Sequence, residues 1–142
     1  MIKVVLDGGA YMPERAHEDD AGYDIRTPKR VVVPPAPEQG AGIVVIDTGV
    51  HIAIPKGHVG LLKSKSGLNV KHGLSGEGVI DSGYTGSIQV KLYNHTAKPY
   101  VFQQGDKIIQ LVIVPVVQDE LKNVAVLDNT ERMMNGFGST GR

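Results

Sequence analysis

The stretch GVIDSGYTGSIQV, Gly78 to Val90, sets a carboxylate and an aromatic ring, Asp81 and Tyr84, around a glycine-rich turn. A carboxylate held there can position a water and take its proton, and the ring can pack on a ring of a ligand. The same residues also suit a plain turn, with Asp81 and Ser82 satisfying turn amides and Tyr84 lying on a sheet. KSKSGL, Lys63 to Leu68, offers two ammonium groups, two hydroxyls and a helix start. Cations and helix N-termini suit phosphate; the alternative is a serine cap beside solvated lysines. In AGYDIRT, Ala21 to Thr27, Asp24 is either a turn residue or a contact to Mg²⁺, direct or through water, since that ion keeps several waters beside substrate phosphates. In GDKIIQL, Gly105 to Leu111, Gln110 is the odd polar residue of an apolar run. If buried it needs partners, either backbone groups or a water that it orients. The chain ends in NGFGSTGR, with Phe137 between Gly136 and Gly138 and Arg132 just upstream. Such a tail is either a solvated leftover or a flap that closes over something flat and charged.

Charge and composition remove other chemistries. Lys plus Arg total 15 and so do Asp plus Glu, so there is no basic excess of the kind a nucleic-acid coat carries. A small anionic ligand needs only a few local cations. Cysteine is absent, which excludes disulfides, a thiolate nucleophile and cysteine-bound zinc. His17, His51, His58, His72 and His95 show no metal-ligand spacing and read as structural or exposed. The acidic HEDD run fails the spacing of a calcium loop. The N-terminal stretch turns acidic where a signal peptide needs an apolar core, and no run is long enough to span a bilayer. The expectation is a soluble, cytoplasmic protein (host cytoplasm if the source is viral) that engages neither nucleic acid nor membrane.

The elements that must position these residues are strands. With 142 residues one domain is expected, large enough to bury a core without a metal or disulfide staple. No long stretch carries apolar residues at helical spacing. Short β-branched runs cut by Gly and Pro recur instead: IKVVL, RVVV, GIVVID, VHIAI, VGLL, GVI, SIQVKLY, YVF and IIQLVIVPVV. Two of them alternate with period two. Val50, Ile52 and Ile54 share one face, as do Ile88, Val90 and Leu92, so one face of each strand is buried. The pattern predicts an all-β sandwich or barrel. It allows one short helix, Ser66 to His72, and predicts a hairpin that presents Asp81 and Tyr84. VPPAPEQGAG, Val33 to Gly42, is a loop by composition. Pro115 interrupts the most apolar run and marks an edge, a bend or the point where the chain leaves the body. The following VVQDELKNVAVL would then cross to a neighbouring subunit.

In their order and spacing AGYDIRT, KSKSGLNVKHG, GVIDSGYTGSI, GDKIIQLVIVPV and RMMNGFGSTGR resemble the five motifs of the trimeric deoxyuridine triphosphatases (dUTPases), from Ala21 to Arg142. The resemblance implies a β-jelly-roll subunit in a homotrimer, with active sites at interfaces, each built from three chains. Residues 1–131 would be the body and 132–142 a flexible lid of the same domain. The reaction would be dUTP plus water giving dUMP and pyrophosphate, with Mg²⁺ on the triphosphate. This would keep uracil out of DNA and supply dUMP for dTMP synthesis. By similarity, Asp81 activates the water that attacks the α-phosphorus and Gln110 assists. Tyr84 packs on the deoxyribose and excludes a 2′-hydroxyl. Uracil sits in the hairpin from Ser75 to Gln89, Val79 included, read mostly by main-chain groups. Lys65, Ser66 and Gly67 meet phosphate oxygens, and Asp24 meets the metal through water. Arg132 grips the γ-phosphate and Phe137 stacks over uracil, with Gly138 and Ser139 wrapping the phosphates. The chain departs from the family pattern at Lys65, where arginine is usual, at Gly83, where a second acid is frequent, and at Met133, Met134 and Asn135, which separate Arg132 from the glycines.

Two rival readings accompany this one. A dCTP deaminase shares the fold, but its deaminating glutamate falls at Lys91, which has no carboxylate. A dUTPase-like binding or regulatory protein with a further protein partner would need the catalytic set to be lost or supplemented. Asp81, Tyr84, Gln110, Arg132 and Phe137 are all present.

Overall fold

Val, Ile and Leu alternating with polar residues leave the chain little choice but short strands that share one apolar interior. The computed structural model describes residues 1–136 and 141. Its strands are β1 (Val4–Leu6), β2 (Gly22–Arg26), β3 (Val31–Val33), β4 (Gly42–Asp47), β5 (Val50–Ile52), β6 (His58–Lys63), β7 (Leu74–Ser75), β8 (Glu77–Asp81), β9 (Gln89–Asn94), β10 (Tyr100–Phe102) and β11 (Lys107–Pro115). One helix, α1 (Ser66–His72), lies between β6 and β7 and ends on Gly73 in the left-handed conformation at φ 62°. The glycine amide bonds back to the carbonyls of Asn69 and Leu68 and so closes the helix.

The strands pair antiparallel in four small sheets: β2–β11–β6–β8, β4–β9–β7, β1–β5 and β10–β3. They close on one core in which Ile25, Val33, Val50, Ile88, Val90, Ile109 and Leu111 are fully buried. Each such side chain contributes roughly 1.5–3 kcal/mol relative to exposure. The period-two faces read from the sequence point inward: Val50, Ile52 and Ile54 are buried, and so are Ile88, Val90 and Leu92.

Three local expectations are corrected. β8 and β9 do not form a hairpin ladder; β8 pairs with β6 and β9 with β4 and β7, so the turn after Asp81 carries the chain from one sheet to another. Asp24 is not in a turn but in the middle of β2, which is paired with β11. α1 spans Ser66 to His72 as read from the sequence, but Lys65 holds the capping position and no side chain caps the helix, so the serine-cap alternative fails. Pro115 ends β11, paired with His58 at the margin of the sheet, where the missing amide does no damage. Beyond it the chain runs without regular structure through residue 136 and exposes Val117, Leu121, Val126 and Leu127.

Candidate active site

β11 is the inner strand that gathers the first cluster. Gln110 stands opposite Asp24 on β2 and opposite Lys63 on β6. Its Nε2 donates to the Ser64 carbonyl at 3.1 Å. Its Oε1 lies over Gly22, where an added Cβ would fall 2.3 Å away. Ser64 in turn ties β6 to the next segment, its hydroxyl donating to the Gly76 carbonyl and accepting from the Gly76 amide. Asp24 is 5 % exposed and pairs with both Lys65 and, at 2.6 Å, Lys107. Burial opposes its ionisation, but hydrogen bonds from Lys107 and Lys65 outweigh that and hold the carboxyl below the usual aspartate range. Asp24 therefore carries its charge at neutral pH. Lys107 was missed by sequence reasoning. Its signal was present, a cation heading the strand that carries Gln110, but only the strand register reveals its partner.

Ser66 and Gly67 form the first turn of α1, which holds no acidic residue. Lys65 leads into that turn, so Lys65, Ser66, Gly67 and Gln110 share one end of the β11–β6 ladder.

The second cluster lies around the end of β8. Val79, Ile80, Asp81, Tyr84 and Gln89 line an open cavity of about 240 Å³. Asp81 is exposed at its rim. The Tyr84 amide donates to the Asp81 carbonyl at 3.0 Å, and the Tyr84 hydroxyl donates to the Ser87 carbonyl at 2.9 Å. Gly86 makes room for the ring, since a Cβ there would meet the phenol oxygen at 2.4 Å. Ser75 does not line this cavity: it lies in β7 opposite Tyr93, next to the Gly76 that Ser64 holds in the first cluster, with its hydroxyl 2.7 Å from His95 Nε2.

The two clusters do not meet within one chain. On β6, Asp81 is opposite Val59 and Gln110 is opposite Lys63. Four residues along the strand and two strand spacings across place their Cα atoms about 16 Å apart. An aspartate and a glutamine side chain cannot bridge that gap to share one water. Arg132 lies farther along the exposed segment, its Nε donating to the Asn135 carbonyl at 2.9 Å. Met133 beside it has φ 47°, the one non-glycine residue with positive φ among the described residues. Phe137, Gly138 and Ser139 fall outside the described residues.

Comparison with known proteins points to one family. The dUTPase family model matches residues 9–141. The deoxyuridine 5′-triphosphate nucleotidohydrolase of Debaryomyces hansenii is 43% identical over 136 residues, covering 94% of this chain and 82% of the relative. That of Paramecium bursaria Chlorella virus 1 is 40% identical over 142 residues, covering 99% and 96%. A solved dUTPase of Staphylococcus bacteriophage 80alpha, a point mutant with dUpNHpp, superposes with a TM-score of 0.90 at 34% identity, covering 100% of this chain and 99% of the other. A phage phi11 dUTPase mutant, described as revealing the coordination of a structural Mg(II) ion, superposes at 0.79 with 35% identity, covering 89% and 97%. The all-β jelly-roll expected from the sequence is thereby borne out.

Proposed function

The chain belongs to the dUTPase family and is a dUTP diphosphatase that hydrolyses dUTP to dUMP and pyrophosphate, and on that premise we propose how its residues divide the work. Uracil and deoxyribose enter the cavity between β8 and β9, read by main-chain groups from Ser75 to Gln89, Val79 among them. Tyr84 packs on the sugar and leaves no room for a 2′-hydroxyl. Asp81 at the rim orients a water, takes its proton and aims it in line at the α-phosphorus. The pyrophosphate leaves with the electrons of the broken bond. The observation that carries this division is the cavity that unites Asp81, Tyr84 and Gln89.

The phosphates need the other cluster. Lys65, held by Asp24 on a flexible stem, turns to phosphate oxygens, and Ser66 and Gly67 meet them with hydroxyl and amide. Gln110, oriented by Ser64, holds the water from the side opposite Asp81. Because about 16 Å separates these groups from Asp81 in one chain, the complete site combines Asp81 of one copy with Lys65 and Gln110 of another. The exposed apolar residues after Pro115 supply further contact surface. Both features support a homotrimer whose sites lie at interfaces. Arg132 and Phe137 then close each site from the tail, gripping the γ-phosphate and covering uracil, while Gly138 and Ser139 wrap the phosphates.

Among the described residues no three His, Asp or Glu side chains gather into a metal cage. Asp24, ionised but paired with Lys65 and Lys107, would meet through water a hydrated Mg²⁺ that arrives on the triphosphate once Lys65 turns to the phosphates. When bound, the ion neutralises charge on the phosphate oxygens.

Pyrophosphate release from dUTP, dTTP, dCTP and UTP tests the reading, with dUTP expected to dominate. Asp81→Asn should lower kcat by about 10²–10⁴-fold, the range of a lost general base, while a non-hydrolysable dUTP analogue still binds. Turnover that survives this substitution, or fails together with binding, would remove Asp81 from the role. The deaminase alternative lacks its base, since Lys91 is exposed on β9 with its Nζ 5.2 Å over the Tyr93 ring.

A further inference from the structure

The loop that carries Tyr84 is held from outside the site by a residue the reaction does not otherwise use. His51, on β5, places Nδ1 2.8 Å from the Thr85 carbonyl and Nε2 3.2 Å from Asp7 Oδ2. We propose that His51 is a positioning residue for sugar selection, a clamp that ties the Tyr84 loop to Asp7 and so sets how strictly the site rejects a 2′-hydroxyl.

The chemistry of the two contacts argues for a clamp. A backbone carbonyl and an ionised carboxylate only accept hydrogen bonds. The imidazole between them satisfies both only when both nitrogens carry protons. The tie to Thr85 first, and then Asp7, raise the ring's pKa above its ordinary value of 6.5. The charged groups facing the ring are Asp7, Asp47 at the end of β4, and Lys3, which lines a small cavity with His51 and Thr85. The two carboxylates favour the imidazolium and the one ammonium opposes it.

The rest of the loop is arranged so that this tie matters. On the far side of Tyr84, the Ser87 hydroxyl donates to Asp47 Oδ1 and accepts from the Gly49 amide, and the Ile88 amide donates to the Val50 carbonyl. The Tyr84 hydroxyl is anchored within the loop, on the Ser87 carbonyl. His51 grips the residue directly after Tyr84, so between Asp81 and Ser87 it is the side chain that fixes the loop to the body. Releasing it loosens the Thr85 end of the loop and with it the set of the ring, while the Tyr84 amide stays on the Asp81 carbonyl and Ser87 stays on Asp47. A small displacement of a shaping group weakens discrimination between sugars more than it weakens turnover.

The sign of the pH effect follows. A histidine whose folded pKa is raised contributes its tie fully below 6.5 and loses it as pH rises through the folded value. The clamp is closed in mild acid and loosened in alkali.

The inference rests on Tyr84 contacting the sugar, so the test separates the two. The ratio of kcat/KM for dUTP to that for UTP is measured at pH 6 and pH 9 for the natural protein, His51→Ala, His51→Gln and Tyr84→Ala. At pH 6, His51→Ala should lower the ratio about threefold to tenfold, with kcat for dUTP changed less. The natural protein's ratio should fall toward pH 9, and that of His51→Gln, which keeps amide N–H donors but cannot be charged, should stay level. If Tyr84→Ala loses discrimination while both His51 variants keep the natural ratio at both pH values, the clamp is refuted and the Tyr84 role stands. If Tyr84→Ala keeps the ratio, both are refuted. Histidine-ring NMR gives a readout free of activity. The resonance lost in His51→Gln should titrate above 6.5 and move down in Asp7→Asn; titration at or below 6.5 overturns the clamp.

Discussion

Gln110 faces Asp24 directly across the β2–β11 ladder, and the two are held by different means: Asp24 by lysines from two segments, Gln110 by the Ser64 carbonyl. Three stretches far apart in the chain thus meet at one point of one sheet. The lysines that keep Asp24 ionised also keep two ammonium groups close to where phosphates are proposed to lie, so stability and binding are linked there.

Removing the Asp24 charge should therefore cost stability as well as activity. Asp24→Asn leaves Lys65 and Lys107 without their counter-charge. Discounting for lysines that are about a quarter to a third exposed, the loss should be about 2 kcal/mol, read by urea unfolding at fixed protein concentration. The pH sign is that of a depressed carboxyl: its stabilisation is present above the ordinary aspartate value of 3.8 and vanishes as pH falls through the lower folded value. The acid limb of the stability curve should be shallower in Asp24→Asn. An unchanged limb would mean that the pair stabilises nothing.

Gly22→Ala tests how tightly Gln110 is held. The new Cβ would fall 2.3 Å from Gln110 Oε1 and 3.1 Å from its Cβ. The amide must swing away and release the Ser64 carbonyl. A fall in kcat of about tenfold to a hundredfold is expected, with a smaller change in unfolding midpoint. Natural turnover in Gly22→Ala would show that the glutamine is not needed where it stands.

Deleting residues 132–142 should sharply reduce turnover while circular dichroism and thermal unfolding of the body stay as they were. Met133→Gly provides the subtler probe. Its φ of 47° costs a methionine of order 1 kcal/mol that glycine does not incur. The substitution should relax the turn that Arg132 forms with Asn135 and change KM for dUTP more than body stability.

Much of this arrangement was legible in the residues themselves. Period-two alternation at Val50 to Ile54 and at Ile88 to Leu92 gave strand and face together, because one side of each strand must leave water. The bounds of α1, Ser66 to His72, were read correctly, with the helix closed by Gly73 in the left-handed conformation. Partnerships between segments were not legible. GYDIR carries too few β-branched residues to stand out as a strand, and only its pairing with β11 makes it one. The apparent hairpin after Asp81 failed for the complementary reason: turn chemistry shows that the chain reverses, not which sheet the next strand joins. Lys107 showed only as a cation heading the strand of Gln110, its partner hidden in the register, and the tie of His51 to a carbonyl leaves no local signature.

The four-residue offset between Asp81 and Gln110 along β6 has a genetic consequence. If the two groups serve a common water only when contributed by different copies, then Asp81→Asn and Gln110→Ala damage separable halves of the same enzyme. Co-expressed in equal amounts, the two inactive chains would assemble at random, and about a quarter of the interfaces would unite an intact Asp81 with an intact Gln110. Two null alleles would then complement one another, each supplying what the other has lost.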